Sequence, residues 1–168
     1  MRTVIRFIDS ISEWTGRSAR WLCAILVVFM AIAVIMRYVF GAATLWAYEV
    51  GLMLGAAIYV LAWSYVHRHG GHVRVDVFYH RLSPRMKATI DVIGSLLLFI
   101  PLMIILVSVS VDWTWRAWEI NEKMYETGWY PPAAPLRTVV ALGICLFALQ
   151  GIAQFIRDLY LLIRNKPL

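Results

Sequence analysis

Four long runs of apolar residues, separated by polar segments, dominate the pattern of the chain. No Asp, Glu, Lys or Arg occurs within them, and they cover Trp21–Met36, Val50–Val66, Val92–Val111 and Thr138–Ile156. A helix needs about 20 predominantly apolar residues to cross the hydrocarbon core of a bilayer. With their flanks, the runs predict membrane-spanning helices over about residues 20–40, 45–67, 84–111 and 135–160. We therefore predict an all-α polytopic membrane protein with four transmembrane helices, forming a single membrane domain over residues 1–168.

The third predicted helix carries local signals of its start and of a distortion. Ser83 is a residue type that caps helix N-termini, and Pro84 suits the first helical position, where no backbone N–H is needed. Pro101 lies in mid-helix and removes one backbone hydrogen bond there. We therefore expect the helix to begin at residue 84 and to kink near Pro101.

The segment before the first span predicts an amphipathic helix. Val4, Ile8 and Ile11 fall on one helical face, with Phe7 and Trp14 beside it. The charged residues of the segment lie largely on other faces: Arg6, Asp9, Glu13 and Arg17. This pattern is typical of a short interfacial helix, here over about residues 3–17, that lies on the membrane surface ahead of the first span.

Composition and charge support a membrane protein and predict its orientation. The chain is 61% hydrophobic and only 15% charged, whereas soluble domains average about 25% charged residues. The net charge of +6 fits an anionic membrane surface better than nucleic acid in so apolar a chain. Twelve of the 16 Lys and Arg residues lie in the N-terminal segment, the second loop and the C-terminal tail. Because positive loops stay on the cytoplasmic side, we expect both termini to be cytoplasmic (N-in/C-in).

Residues that could carry chemistry are few. The four histidines all lie in or beside the second loop: His67, His69, His72 and His80. A metal could in principle bind the spacing His67-x-His69-x-x-His72, but a basic solvated loop is the favoured interpretation, and no histidine sits in mid-span as a haem ligand would. Cys23 and Cys145 each stand alone in an apolar run. We predict no catalytic, substrate-binding or metal site and no cofactor in this chain, and hence no enzyme.

The uncharged span interiors also argue against a transporter that works alone. Secondary transporters place ionisable groups or broken helices near the bilayer midplane. Glu49 lies about one turn from the outer end of the second span, outside its interior. We therefore favour a subunit that packs against another membrane protein; the alternative is a stand-alone, homo-oligomeric small channel or exporter.

Two spans carry candidate packing surfaces. Ala47, Gly51 and Gly55 recur every four residues in the second span and predict a ridge that another helix can approach closely, while Trp46 and Glu49 point to another face. In the fourth span, two glutamines predict hydrogen bonds across helices, either within this chain or to a partner: Gln150 and Gln154.

Charges at one membrane boundary form another candidate. Arg37 ends the first span and Glu49 begins the second, so a short turn containing Gly41 could bring them together. Pairing would satisfy two charges where isolation is costly. The alternatives are that each side chain reaches water separately or that a partner subunit pairs with them. The long outer loop, Asp112–Arg137, is crowded with Trp and Tyr, which is typical of an aromatic belt and less often of a ligand cage.

Three motifs in the same order resemble one transporter family. They are Arg37-Tyr38-Val39-Phe40-Gly41, Trp46-x-x-Glu49 and Gly71-His72-Val73-Arg74-Val75-Asp76. In their span context they resemble the DctQ-type small membrane subunit of tripartite ATP-independent periplasmic (TRAP) transporters. The resemblance covers nearly the whole chain.

The resemblance implies a role that the residues alone do not show. Such subunits pair with a large membrane subunit that carries the substrate and sodium sites, while a periplasmic binding protein delivers the substrate, typically an organic acid. The small subunit is then a scaffold that braces the large one and helps to dock the binding protein, with membrane lipids around it and no nucleic-acid partner. Sodium is expected on the large subunit, and His72 and Asp76 are expected to organise the second loop or to contact that subunit.

Overall fold

The computed structural model describes residues 2–42, 44–71 and 83–164, and five α-helices make up most of this part of the chain. They are α1 (Arg2–Val39), α2 (Leu45–Arg68), α3 (Pro84–Gly94), α4 (Ile100–Glu119) and α5 (Ala134–Arg164). A π-helical turn, Ser95–Phe99, joins α3 to α4 without a break. When α3, the π-turn and α4 are counted as one helix, four helices of the described residues are long and apolar enough to cross a membrane. This confirms the all-α, four-span prediction. His72 and Asp76 lie outside the described residues.

The first helix is longer than predicted. The sequence suggested a separate interfacial helix over about residues 3–17, but α1 continues through this segment into the first span. Its 38 residues make it about 57 Å long, against a hydrocarbon core of about 30 Å. Ser12 and Thr15 are buried. The N-terminal half of α1 therefore packs against the neighbouring helices as a direct continuation of the span, without a turn onto the membrane surface.

The helix built from α3 and α4 begins as predicted and is distorted beside its proline. The Ser83 hydroxyl accepts a hydrogen bond from the N–H of Met86 (3.4 Å), and Pro84 occupies the first turn. Just before Pro101, the N–H of Ile100 donates to the carbonyl of Ser95, five residues back, as in a π-helix. A π-turn is one way in which a helix accommodates a residue that cannot donate. The helix then runs to Glu119 rather than 111.

The two connections at one end of the molecule are compact. Gly41 adopts a left-handed conformation (φ +63°) between α1 and α2, which glycine tolerates because it has no Cβ. The loop between α4 and α5 folds back on itself. In it, the N–H of Met124 donates to the carbonyl of Pro131 (2.8 Å), and the N–H of Ala133 donates to the carbonyl of Glu122 (2.8 Å).

The helices are arranged as an open row. The α1 helix packs along α2, α2 along α5, and α5 along α3 and α4, while α1 also touches α5. Little of the apolar surface is therefore enclosed. In the most apolar stretches of α1 and of the α3–α4 helix only 6% of residues are buried, compared with 39% in α5. Hereafter, the polar end of the row comprises residues 2–17, 64–71 and 150–164, and the loop end comprises residues 37–49 and 112–138.

Glycines allow the closest helix contacts. A Cβ on Gly143 of α5 would lie 2.7 Å from the Cβ of Val60 on α2 and 2.9 Å from its carbonyl oxygen. A side chain on Gly16 would overlap the Tyr65 ring, and one on Gly151 would overlap the Phe99 ring. The backbones of α2 and α5 therefore approach at Gly143 more closely than a side chain would allow, while at Gly16 and Gly151 an aromatic ring fills the space that a side chain would need.

Candidate functional site

Glu49 lies in the second turn of α2 and is completely buried (0% exposed) at the loop end. Its Oε1 accepts hydrogen bonds from the backbone N–H (2.8 Å) and from the hydroxyl of Thr127. Its Oε2 is buried and has no hydrogen-bond partner among the residues that the structure describes. The carboxylate thus fastens the α4–α5 loop onto the beginning of α2, close to the positive end of that helix's dipole.

Arg37 does not share this arrangement. Arg37 is exposed at the end of α1 and forms no salt bridge within the described parts of the chain. The short turn with Gly41 does connect the two helices, but the Glu49 carboxylate is directed under the loop that carries Thr127. Of the arrangements considered from the sequence, direct pairing of Arg37 with Glu49 is therefore absent from this structure.

The predicted small-residue ridge of α2 divides into two parts. Gly51 faces α1, where a Cβ would lie 3.2 Å from the sulfur of Met30. Around Gly55, a Cβ would meet nothing within 4 Å. Trp46 is 37% exposed and meets the Phe29 ring edge to face, with 5.3 Å between ring centroids. The ridge thus serves the chain's own packing at Gly51 and lies on an open surface at Gly55.

Gln150 of α5 is completely buried and links two helices. Its Oε1 accepts a hydrogen bond from the Ser12 hydroxyl (2.7 Å), and its Nε2 donates to Oδ1 of Asp9 (3.2 Å). Both partners are on α1, so this glutamine bonds within the chain. Gln154 acts locally instead: its Nε2 donates to Asp158 (3.0 Å) one turn further along the same helix.

Charged residues extend the bonds of Gln150 into a cluster that joins three helices. Asp9 forms an ion pair with Arg157 of α5 and lies 3.8 Å from the Nε of Arg68 on α2. The guanidinium of Arg68 also donates to the backbone carbonyl of Asp9 (2.7 Å) and to Glu13 (3.1 Å). We call this set the three-helix polar cluster; its members are Asp9, Ser12, Glu13, Arg68, Gln150 and Arg157.

The sequence did not reveal this cluster. Asp9 and Glu13 fit the polar face of an amphipathic helix, while Arg68 and Arg157 served only to predict orientation. Buried polar groups require partners, because an unpaired one loses its hydration without compensation. The available signal was therefore Gln150, a polar residue in an otherwise apolar helix at the level where charges begin.

The tryptophans before the loop also have partners within the chain. The guanidinium of Arg137 lies over the ring of Trp113, 3.9 Å from its centroid, and forms an ion pair with Glu122. The indole N–H of Trp118 donates to the Thr138 hydroxyl (3.0 Å). These contacts tie the end of α4 to the start of α5, and the ring of Trp113 receives a cation of its own chain.

The chemistry that these sites support is structural. Within residues 2–42, 44–71 and 83–164, no three His, Cys, Asp or Glu side chains come together as metal ligands would. The Glu49 carboxylate accepts hydrogen bonds from Thr127, and the Asp9 carboxylate pairs with Arg68 and Arg157. The Glu49–Thr127 contact holds the loop in place, and the three-helix polar cluster holds the helices together.

Comparison with known protein families identifies a transporter component. A family model described as "Tripartite ATP-independent periplasmic transporters, DctQ component" matches residues 25–160. The match runs from the middle of α1 to near the end of α5. Comparisons with curated proteins and with solved structures return no match.

Proposed function

The chain belongs to the DctQ component family of TRAP transporters, and from this premise we propose that it is the scaffold subunit of a TRAP-type importer. The family is a transporter membrane component and not an enzyme. It works in a tripartite system with a large permease and a periplasmic binding protein. In the proposed role, this chain braces the large membrane subunit and carries no substrate itself.

The openness of the row is the observation that supports this proposal best. A self-sufficient four-helix bundle buries one side of every helix in a shared core. Here, the most apolar stretches of α1 and of the α3–α4 helix are almost entirely on the outside. A flat face of this kind suits a subunit that completes its packing against a larger membrane protein.

Transport chemistry is proposed to lie on the large subunit. Polar groups within the helices make contacts inside the chain, as in the pairs Glu49–Thr127 and Gln150–Ser12. Binding of sodium and of an organic acid would require further free oxygen ligands and cationic groups. We therefore assign both to the large subunit and to the periplasmic binding protein.

The orientation proposed from charge places the polar end in the cytoplasm and the loop end in the periplasm of a bacterial inner membrane. The loop over residues 120–133, fastened by Glu49, would then face the binding protein and help to dock it. Single cysteines at Ser10 and at Glu126 test the orientation in cells. A membrane-impermeant maleimide should label the Glu126→Cys protein and leave the Ser10→Cys protein unlabelled; the reverse pattern would contradict N-in/C-in.

Co-purification with the large subunit tests the function. The tagged chain, expressed with the neighbouring permease and binding-protein genes, should co-elute with a larger membrane protein, and sodium-driven uptake should require all three. Uptake by cells that lack this chain would refute the scaffold role. Substrate flux through vesicles that contain this chain alone would support the alternative, a stand-alone channel or exporter.

A further inference from the structure

An apolar stripe runs along the whole exposed side of α1, and we propose that it is the docking surface for a helix of the large subunit. The stripe takes alternate steps of three and four residues from Val4 through Phe7, Ile11 and Trp14 to Val39. Ten of its eleven positions are apolar, Ser18 being the exception. Nine of the ten apolar side chains are at least 50% exposed. The proposal rests on the proposed function and names the surface that carries it.

The period of the stripe is that of a helix-packing seam. Apolar residues that repeat every 3.5 residues face one partner helix along a left-handed supercoil. Within the bilayer, all faces of a lipid-exposed helix are apolar, so a stripe there does not point to a partner helix. The stripe is distinctive in the N-terminal half of α1, where charged residues also occur. There, Val4, Phe7 and Trp14 are 62–71% exposed, while Arg6 and Ser10 occupy positions between them. The seam thus continues unshifted into a segment where the other exposed positions are polar.

The three-helix polar cluster holds this half of α1 upright. Asp9 is tied to Arg157 and Arg68, and Ser12 is tied to Gln150, so the N-terminal turns stand beside the ends of α2 and α5. A helix that binds a membrane surface lies in the interface plane instead. Because α1 is about 57 Å long and held along the other helices, lipid tails cannot cover the seam over its full length.

The charges beside the seam indicate the chemistry of the partner. Arg6, Arg17 and Arg20 are exposed near it, and Glu13 is already engaged by Arg17 and Arg68. The exposed flank is therefore positive. The expected occupant is an α-helix with an apolar stripe of the same period, extended beyond the bilayer and carrying acidic residues on its flank.

Photo-crosslinking in the assembled complex tests the proposal directly. The photoreactive residue p-benzoylphenylalanine replaces Phe7 on the seam or, as the control, its neighbour Arg6 on the polar face. We expect the probe at position 7 to form an adduct with the large subunit and the probe at position 6 to form much less. An adduct at position 7 with lipid alone, or with a second copy of this chain, would overturn the proposal.

A pair of double variants provides an independent measurement. Phe7→Gln with Trp14→Gln should reduce co-purification of the large subunit about tenfold or more, since two apolar contacts outside the bilayer are lost. Met86→Gln with Ile90→Gln, which changes two exposed apolar residues of α3 (54% and 48% exposed), should leave it nearly unchanged. Equal losses in the two variants, or none in the first, would count against the seam.

The outcomes separate this inference from the proposed function. Co-elution of the unmodified chain with the large subunit is measured first, and its absence refutes the scaffold role itself. Co-elution combined with a seam probe that reaches only lipid refutes the docking surface alone. Thermal unfolding of each purified variant in detergent should match that of the unmodified chain, because Phe7 and Trp14 are exposed in it.

Discussion

Glu49 and Thr127, 78 residues apart in the chain, meet through one carboxylate oxygen that accepts both the N–H and the hydroxyl of the threonine. The contact connects the start of a long helix to the loop on the same side of the molecule. Because Glu49 is completely buried, water cannot replace the threonine as the hydrogen-bond donor unless the loop opens. The shape of the loop end therefore depends on this pair.

Replacing Thr127 should loosen the loop. Thr127→Val keeps the size of the side chain but removes the hydroxyl donor to a buried carboxylate, which we expect to cost about 1.5–3 kcal/mol. Unfolding in detergent measures the loss, and hydrogen exchange should rise over residues 120–133. Thr127→Ser retains the hydroxyl and serves as the control. Equal exchange in the Val and Ser proteins would show that the hydroxyl does not hold the loop.

Charge reversal should distinguish Arg37 from Glu49. Arg37→Glu changes an exposed residue and should leave the stability of the isolated chain within about 0.5 kcal/mol. Glu49→Arg buries a cation beside the Thr127 donors and should strongly destabilise it. Because the two residues form no salt bridge, the double swap should be no more stable than Glu49→Arg. Recovery in the double swap, measured by thermal unfolding, would reveal a pairing that the structure lacks.

Gln150 should matter through its partners. Gln150→Leu leaves the Ser12 hydroxyl and one Asp9 oxygen without a bond, and we expect a loss of about 1–3 kcal/mol. Adding Ser12→Ala removes one of the stranded groups, so the double variant should be less destabilised than the sum of the single variants. Gln154→Leu, on the same helix, is the control and should cost less. Strict additivity in the unfolding free energies would exclude the Ser12–Gln150 bond.

The ion pair of Asp9 with Arg157 should contribute more than an exposed one. Side chains of this pair are 14% and 27% exposed, whereas those of Asp112 and Arg116 are 63% and 69% exposed. Double-mutant cycles with Asn and Gln should give a coupling of about 1–3 kcal/mol for the first pair and about 0–0.5 kcal/mol for the second. Similar couplings in the two cycles would mean that the cluster does not shield its charges.

Two glycines should respond oppositely to the same change. Gly143→Ala places a Cβ against the backbone oxygen of Val60, which cannot yield without moving α2, and should cost about 1–3 kcal/mol. Gly55→Ala meets no neighbour and should be neutral or raise helix stability by up to about 1 kcal/mol. Thermal unfolding of the two proteins decides the point. A loss at Gly55 in the isolated chain would indicate a contact there that the structure lacks.

Local signals predicted the parts of the fold that depend on neighbouring residues. The apolar runs gave the four long helices, and the types of Ser83 and Pro84 gave the start of α3, because these effects act within a few residues. The π-turn lies directly before Pro101, the proline from which the sequence predicted a kink. Family membership, too, was accessible from short motifs once their order was considered.

Non-local contacts could not be predicted in the same way. The polar face of residues 3–17 suggested a surface helix, since nothing in the segment reveals that Asp9 and Ser12 find partners on α5. Similarly, a short turn placed Arg37 near Glu49 along the chain, but the direction of the Glu49 side chain depends on Thr127. In both places the polar residues have partners more than 70 residues away along the chain.

The open row has a consequence for the amount of the protein in the cell. A chain whose apolar faces are completed by another protein has a folded state that is stabilised by mass action, in proportion to the concentration of that protein. Unassembled copies would stay open to quality-control proteases of the membrane. Its steady-state level should therefore follow the synthesis of its partner and fall when that partner is removed, so that the stoichiometry of the complex is maintained by degradation of the excess.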